Sequence, residues 1–286
     1  MVGPYLSILL STMLWSVATM LYATLGRNIG VRRLNFFKAL FSLIFFFIAT
    51  LIWGSFTWPR EVIYLLLGSG FLGFALGDLF IFYGFSKMGA GRALMLTAFA
   101  PLFVLMWSHL LYDTATQPRV FLGVLALIAC LFFLSLEKLK SFEVRPKVFL
   151  AVIFGISLES LGVVFSKEAF NLAPTLDAFS ANFFRISISL VFLIVFLGVK
   201  RVSLNPNDIT RRDLKLTILS SFLGTFLALF FYLNALSQGE APVISALSNL
   251  SPIYAAIFDH VLAKRWPTKW FLLAIASMFT GLYFVS

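Results

Sequence analysis

The chain runs again and again for about twenty residues with almost no charge, and ten such runs nearly fill it: 4–25, 34–53, 62–85, 91–111, 119–136, 148–167, 176–199, 214–236, 241–262 and 267–285. A helix needs about 20 mostly apolar residues to cross the ~30 Å hydrocarbon core of a bilayer. The spacing therefore predicts an all-α integral membrane protein of ten transmembrane helices. Composition excludes the soluble alternative. Only 12% of the 286 residues are charged and 60% are hydrophobic, whereas a soluble domain carries about 25% charged residues to cover its surface.

The joining segments are short and hold most of the punctuation: "GRNIGVRR", "YDTATQPR", "EKLKSFEVRPK" and "KRVSLNPNDITRRD". None is long enough for a separate soluble domain. The start, "MVGPYLSILLSTMLW", lacks the basic residues of a secretory signal and reads as the opening of the first span, with Pro4 in its first turn. Cys130 is the single cysteine, so there is no disulfide framework and no cysteine-based metal site.

Charge decides the expected orientation. Seventeen of the 22 Lys and Arg fall after odd-numbered spans; the exceptions are Lys38, Arg60, Arg119, Lys167 and Arg185. Cytoplasmic loops collect Lys and Arg, so that side is expected to be cytoplasmic and both termini to lie outside. The compactness of the chain suggests a bacterial or archaeal cytoplasmic membrane. The formal charge of +10 is then a matter of topology, and a nucleic-acid partner has no support.

The chain also repeats itself. "NFFKALFSLIF" at 35–45 matches "NFFRISISLVF" at 182–192 at six of eleven positions, and 72–111 aligns without a gap on 223–262 at an offset of 151. Gly73 falls on Gly224, Pro101 on Pro252 and His109 on His260. The expected division is 1–144 and 145–286, five spans each. Five is odd, so the second half enters the membrane upside down, and two inverted five-helix repeats are the mark of secondary transporters with a site near the midplane.

Ten spans in two inverted fives, an aromatic-basic motif in the second helix of each half, and the units "GFSKMGAGRALMLTAFAP" and "ALSQGEAPVISALSNLSP" resemble the drug/metabolite transporter superfamily, EamA type. The resemblance covers essentially the whole chain. It matches Trp15 to a first-helix Trp, Lys167 to a Lys ending the sixth helix, and Lys38 and Arg185 to a basic position in helices 2 and 7. The Gly-Glu usual after the Pro helix is replaced here by "YDT", with Asp113, and by "AKRW". The resemblance implies a carrier of small metabolites, with amino acids and related amphipathic compounds favoured.

Within the spans the polar residues are few. Asp78 and Glu159 are carboxylates inside apolar runs, each present in one half only, and such groups cost several kcal/mol in hydrocarbon unless protonated, paired or wet. They are the candidates for coupling to a proton; the other reading is an ion pair with Lys38, Arg185 or Lys167. Lys38 either snorkels or lines a pathway, and Arg185, about ten residues into its span, reads as interior. Trp15, Tyr83, Tyr232, Asn182 and Asn249 complete the candidate substrate pathway, and Pro101 and Pro252 are hinge candidates. His109 and His260 read as capping or pairing groups at the interface.

No P-loop, no paired His-acid metal motif and no Gly-x-Ser-x-Gly occurs, so neither enzyme chemistry nor a cofactor is expected. The expected function is a secondary active transporter working by alternating access, coupled to protons or to exchange. Its partners would be a small molecule and the bilayer, and the chain would act as a monomer because it carries both halves. A carrier of anionic metabolites (sugar phosphates, nucleotide sugars, dicarboxylates) is the alternative in the same class. A membrane scaffold or membrane-embedded enzyme is the alternative of another class.

Overall fold

Apolar runs become helices here because, inside a bilayer, a backbone must satisfy its own hydrogen bonds. The structure is a computed structural model and describes residues 3–88, 96–114, 117–138, 146–202, 204–205, 209–250, 254 and 268–285; every regular element among them is helical. Among the described residues six helices are long and apolar enough to cross a membrane: Pro4–Tyr22, Gly26–Trp53, Arg60–Ile81, Pro146–Leu172, Ala178–Val199 and Arg211–Gln238. Three apolar helices among them are shorter, Thr97–Tyr112, Pro118–Cys130 and Lys269–Phe284. The ninth expected span is described only as far as Leu250, apart from Tyr254. Pro252 and His260 lie outside the described residues, as do the basic loop residues Arg92, Lys140, Arg145, Lys264 and Arg265.

Helix ends follow local chemistry. Proline opens Pro4–Leu25, Pro118–Lys138 and Pro146–Leu172, where its missing N–H costs no intrahelical bond. Pro101 stands in the first turn of Ala100–Tyr112, after a tight 3-10 turn at Thr97–Phe99. Asp177 caps Ala178–Val199 by accepting from the Ser180 amide at 2.8 Å, and Thr210 caps Arg211–Ser221 by accepting from the Asp213 amide at 3.1 Å. Asp113 ends Ala100–Tyr112 in the left-handed region, with φ 48°, a conformation Asp tolerates better than bulkier residues.

Among the described residues three π-helical turns interrupt the regular geometry. The first, Gly26–Gly30, replaces the loop expected at "GRNIGVRR", and Gly30 takes φ +83° just before Val31–Trp53 begins. The others, Gly70–Gly77 and Phe222–Leu227, lie in the third helix of each half. They fall in register at the 151-residue offset of the sequence repeat. A π turn carries one extra residue per turn and is common where a helix is functionally interrupted.

Packing divides the chain into two compact units, Met1–Ala75 with Phe165–Gln238, and Leu76–Val164 with Gly239–Ser286. Each draws on both sequence halves. The first has a core of Leu25, Phe37, Phe46, Ile186, Leu193, Leu197, Phe226 and Leu229. Phe226 is the hub of its aromatic layer, with ring centroids 4.8 Å from Phe46, 5.5 Å from Phe222, 5.7 Å from Phe45 and 6.2 Å from Phe179. The second unit buries Ile81, Leu96, Val148, Val152 and Ile156 together. In it Lys269–Val285 lies along Pro118–Lys138, with Arg119 donating to the Tyr283 carbonyl at 3.0 Å.

Several hydroxyls bond back within their own helices. Thr12 donates to the Ile8 carbonyl at 3.0 Å, Ser187 to Phe183 at 2.7 Å and Thr217 to Asp213 at 2.7 Å. This back-bonding is how Ser and Thr are accommodated without water.

Candidate functional site

Arg185 lies one turn after Asn182 on Ala178–Val199 and is 3% exposed. Burying a cation this fully requires hydrogen-bond acceptors around it. Its Nε donates to the Ser69 hydroxyl at 2.9 Å, and Nη1 donates to Asn182 Oδ1 at 3.3 Å. The guanidinium stands 4.5 Å over the Phe74 ring, an arrangement that stabilises a desolvated cation by up to about 2 kcal/mol. Ser69 also shares a 2.7 Å hydrogen bond with Ser166. The helix carrying Ser69 approaches so closely because Gly70 has no side chain: a Cβ there would overlap the Arg185 carbonyl oxygen and lie 2.7 Å from its Cα.

Asn182 is oriented from its other end. Its amide nitrogen donates to the Ala178 carbonyl at 3.0 Å and to the Leu229 carbonyl at 3.1 Å. The amide oxygen therefore faces Arg185. Arg185 and the Asn182 that orients it thus meet residues in or beside the two repeat-related π turns. Ser69 immediately precedes Gly70–Gly77 and Phe74 lies within it, while Leu229 follows Phe222–Leu227 by two residues.

Lys38 is half-buried on Val31–Trp53, its Nζ 5.3 Å from the centre of the Tyr22 ring. The Tyr22 hydroxyl donates to the Ser220 carbonyl at 2.8 Å and lies 2.9 Å from Thr225 Oγ1. Gly224 makes room for it: a Cβ there would overlap Ala18 Cβ and come within 2.7 Å of the Tyr22 hydroxyl. Around the same π turn, Ser42 donates to the Ser221 carbonyl at 3.4 Å and Ser11 to Ala228 at 2.8 Å. Trp15 is half-buried beside the first unit's core, and Tyr232 is buried.

The second unit holds the carboxylates. Asp78 and Glu159 are both half-buried. Their helices touch at Gly155, where a Cβ would sit 2.9 Å from the Gly77 carbonyl oxygen and 2.8 Å from Phe80 Cβ. Asp78 directly follows Gly77, and Glu159 lies one turn beyond Gly155, beside two serines. Ser157 accepts from Trp107 Nε1 at 3.2 Å, and Ser160 donates to the Ala100 carbonyl, next to Pro101, at 3.1 Å.

The model of the EamA-like transporter family matches residues 3–136 and again 145–286. The chain belongs to the EamA-like transporter family. It is an integral membrane protein of a family of small-molecule transporters. Among curated proteins no sequence matches it. One solved crystal structure is similar in fold, with a TM-score of 0.80 at 16% identity over 99% of this chain and 96% of that one.

Seen as an EamA-like transporter, the chain sorts its candidate residues in a way the sequence did not disclose. Trp15, Lys38, Asn182, Arg185 and Tyr232 belong to the first compact unit, and Asp78, Tyr83, Pro101, Glu159 and Asn249 to the second. Tyr83 is 44% exposed. Asn249 donates to its own helix, at the Ser245 carbonyl, 3.0 Å away. Lys167 lies within Pro146–Leu172 and donates to the Leu236 and Ser237 carbonyls at 3.1 and 3.4 Å, the usual role of a cation at a helix C-terminus. His109 lies 3.8 Å from Asp113, and both side chains are largely exposed.

Sequence reading missed Ser69, Phe74, Ser166 and Tyr22. Ser69 carried a usable signal: a serine between Gly68 and Gly70 in an apolar run marks a close helix approach with a polar group at its centre. Tyr22 carried none, because its hydroxyl meets the Ser220 carbonyl and Thr225, 198 and 203 residues along the chain.

Proposed function

We propose that this EamA-like transporter is a secondary active carrier of small organic metabolites bearing a carboxylate, amino acids and related amphipathic compounds foremost, working by alternating access between two inverted repeats. The observation that carries the reading is the setting of Arg185: a buried guanidinium oriented by Ser69, Asn182 and Phe74. An ionisable group at such depth is costly, and within membrane proteins it marks a substrate or ion pathway by default. Arg185 receives the carboxylate of the cargo. Asp78 and Glu159, brought to one helix contact in the second unit, serve as proton acceptors that couple transport to a gradient. The basic loops face the cytoplasm and the termini face outward.

Anionic metabolites without an amine, such as dicarboxylates or sugar phosphates, are the second reading. It draws on the presence of both intramembrane cations, Lys38 and Arg185, in one compact unit.

The test is a thermal-shift series on the purified protein with L-phenylalanine, L-phenylalaninamide, succinate and glucose 6-phosphate, repeated with Arg185→Gln. A ligand that binds only the folded state raises apparent stability by mass action. Stabilisation by L-phenylalanine, absent with its amide and lost in Arg185→Gln, is the expected result. Stabilisation by succinate or the sugar phosphate alone selects the second reading. Stabilisation that survives Arg185→Gln overturns Arg185 as the anchor.

A further inference from the structure

Arg185 is supported from two sides, and each support lies in or beside a π turn at an equivalent place in the repeat. On one side stand Ser69 and Phe74, at the edge of and within Gly70–Gly77. On the other, the support is indirect. Asn182 accepts from Nη1, and its own orientation depends on the Leu229 carbonyl, two residues past Phe222–Leu227. A π turn holds one residue more than the α-helix it replaces. Its loss or migration turns the backbone beyond it by about 100°, the angle per residue of an α-helix. A carbonyl turned by that angle no longer meets the Asn182 amide.

We propose that Asn182 is a positioning residue for Arg185, and that the two repeat-related π turns are adjustable supports which present the guanidinium to an anionic cargo group in one register and withdraw it in another. The proposal rests on Arg185 being the cargo anchor and adds what controls it. In the register seen here Leu229 directs the Asn182 nitrogen, Asn182 Oδ1 and Ser69 Oγ fix two edges of the guanidinium, and Phe74 fixes its plane. Register change at Phe222–Leu227 removes the Leu229 acceptor and frees the amide to rotate. Register change at Gly70–Gly77 displaces Phe74. The recurrence of the turn in both repeats fits a device that alternates: each half of the duplicated chain supplies one support.

The experiment is equilibrium binding of radiolabelled L-phenylalanine and succinate to the full chain in nanodiscs, for the wild type and three variants across pH 5–8. Asn182→Asp tests positioning without removing the side chain. The introduced carboxylate pairs with Arg185 and stays ionised across this range, so affinity falls about 10- to 100-fold at every pH while the apparent melting temperature is kept. A merely structural Asn182 loses affinity and melting temperature together. Asn182→Ala and deletion of Leu223, which removes the extra residue of the π turn, each lower affinity about tenfold or more. Because they act through one contact, the double variant binds no worse than the weaker single.

Independent, multiplicative losses overturn the link between Asn182 and the turn. A chain lacking Leu223 that fails to fold leaves the decision to the affinity and melting temperature of Asn182→Asp. Wild-type protein that binds neither probe overturns Arg185 as anchor together with this proposal. Binding that is lost in Arg185→Gln but unaffected by all three variants overturns this proposal alone.

Discussion

Gly70 rests directly on the backbone of Arg185, so that even a methyl group on Gly70 would overlap the Arg185 carbonyl oxygen. Backbone cannot step aside as a side chain tip can. Gly70→Ala is therefore expected to destabilise the protein by about 1–3 kcal/mol, the usual cost of overpacking. Gly198→Ala meets no atom within 4 Å and is expected to be neutral or slightly stabilising, since Ala is the better helix former by about 1 kcal/mol. Apparent melting temperatures of the two variants in detergent check the contrast.

Ser69 and Ser166 share a hydrogen bond beneath Arg185. Ser69→Ala leaves Arg185 Nε without this acceptor and is expected to cost about 1–3 kcal/mol. Ser166→Ala is expected to cost less, because the 2.7 Å bond it removes is to Ser69. A double-mutant cycle measured by denaturant unfolding should give a coupling of about 0.5 kcal/mol or more. Strict additivity would show that the two hydroxyls act separately.

Glu159→Gln and Asp78→Asn separate a coupled carrier from a passive one. In proteoliposomes with an imposed pH gradient, the variant lacking the coupling carboxylate is expected to lose accumulation against the gradient while retaining exchange of labelled for unlabelled cargo. Accumulation that persists in both single variants and in the double variant sinks proton coupling through these groups. Loss of exchange as well as accumulation assigns the group to the translocation path instead.

The Asp177 cap joins two helices. Its carboxylate accepts from the Ser180 amide at 2.8 Å and hydroxyl at 2.6 Å, and the Ser180 hydroxyl in turn accepts from the Ser55 amide at 3.0 Å. Asp177→Ala is expected to cost about 1 kcal/mol, up to about 2. Asp177→Asn retains an acceptor and should recover most of it. Hydrogen exchange at Ser55 and Ser180 reports whether the loss spreads from one helix end to the other.

What could be read from sequence was set by length and by isolated polar groups. Apolar runs of spanning length announced the helices, Pro4 announced the first helix start, and the depth of Arg185 in its run announced a buried cation. The π turns were hidden. In Gly70–Gly77 and Phe222–Leu227 the residues are apolar on nearly every side, so an extra residue shifts no visible stripe. The partition into compact units was hidden for the same reason: a helix apolar all round has no face that names its neighbour. Tyr22 and Asn182 act in part on carbonyls, which every residue carries, and no side-chain pattern discloses such partners.

The first compact unit joins Met1–Ala75 to Phe165–Gln238, and this order has a consequence in time. At ~5–20 residues per second of synthesis, the helix bearing Ser69 and Phe74 waits roughly 5–30 s for the stretch that carries Arg185. When that stretch is made, the receiving hydroxyl and ring are already on hand. The most costly side chain of the unit is delivered late, to a half-built host instead of bare lipid.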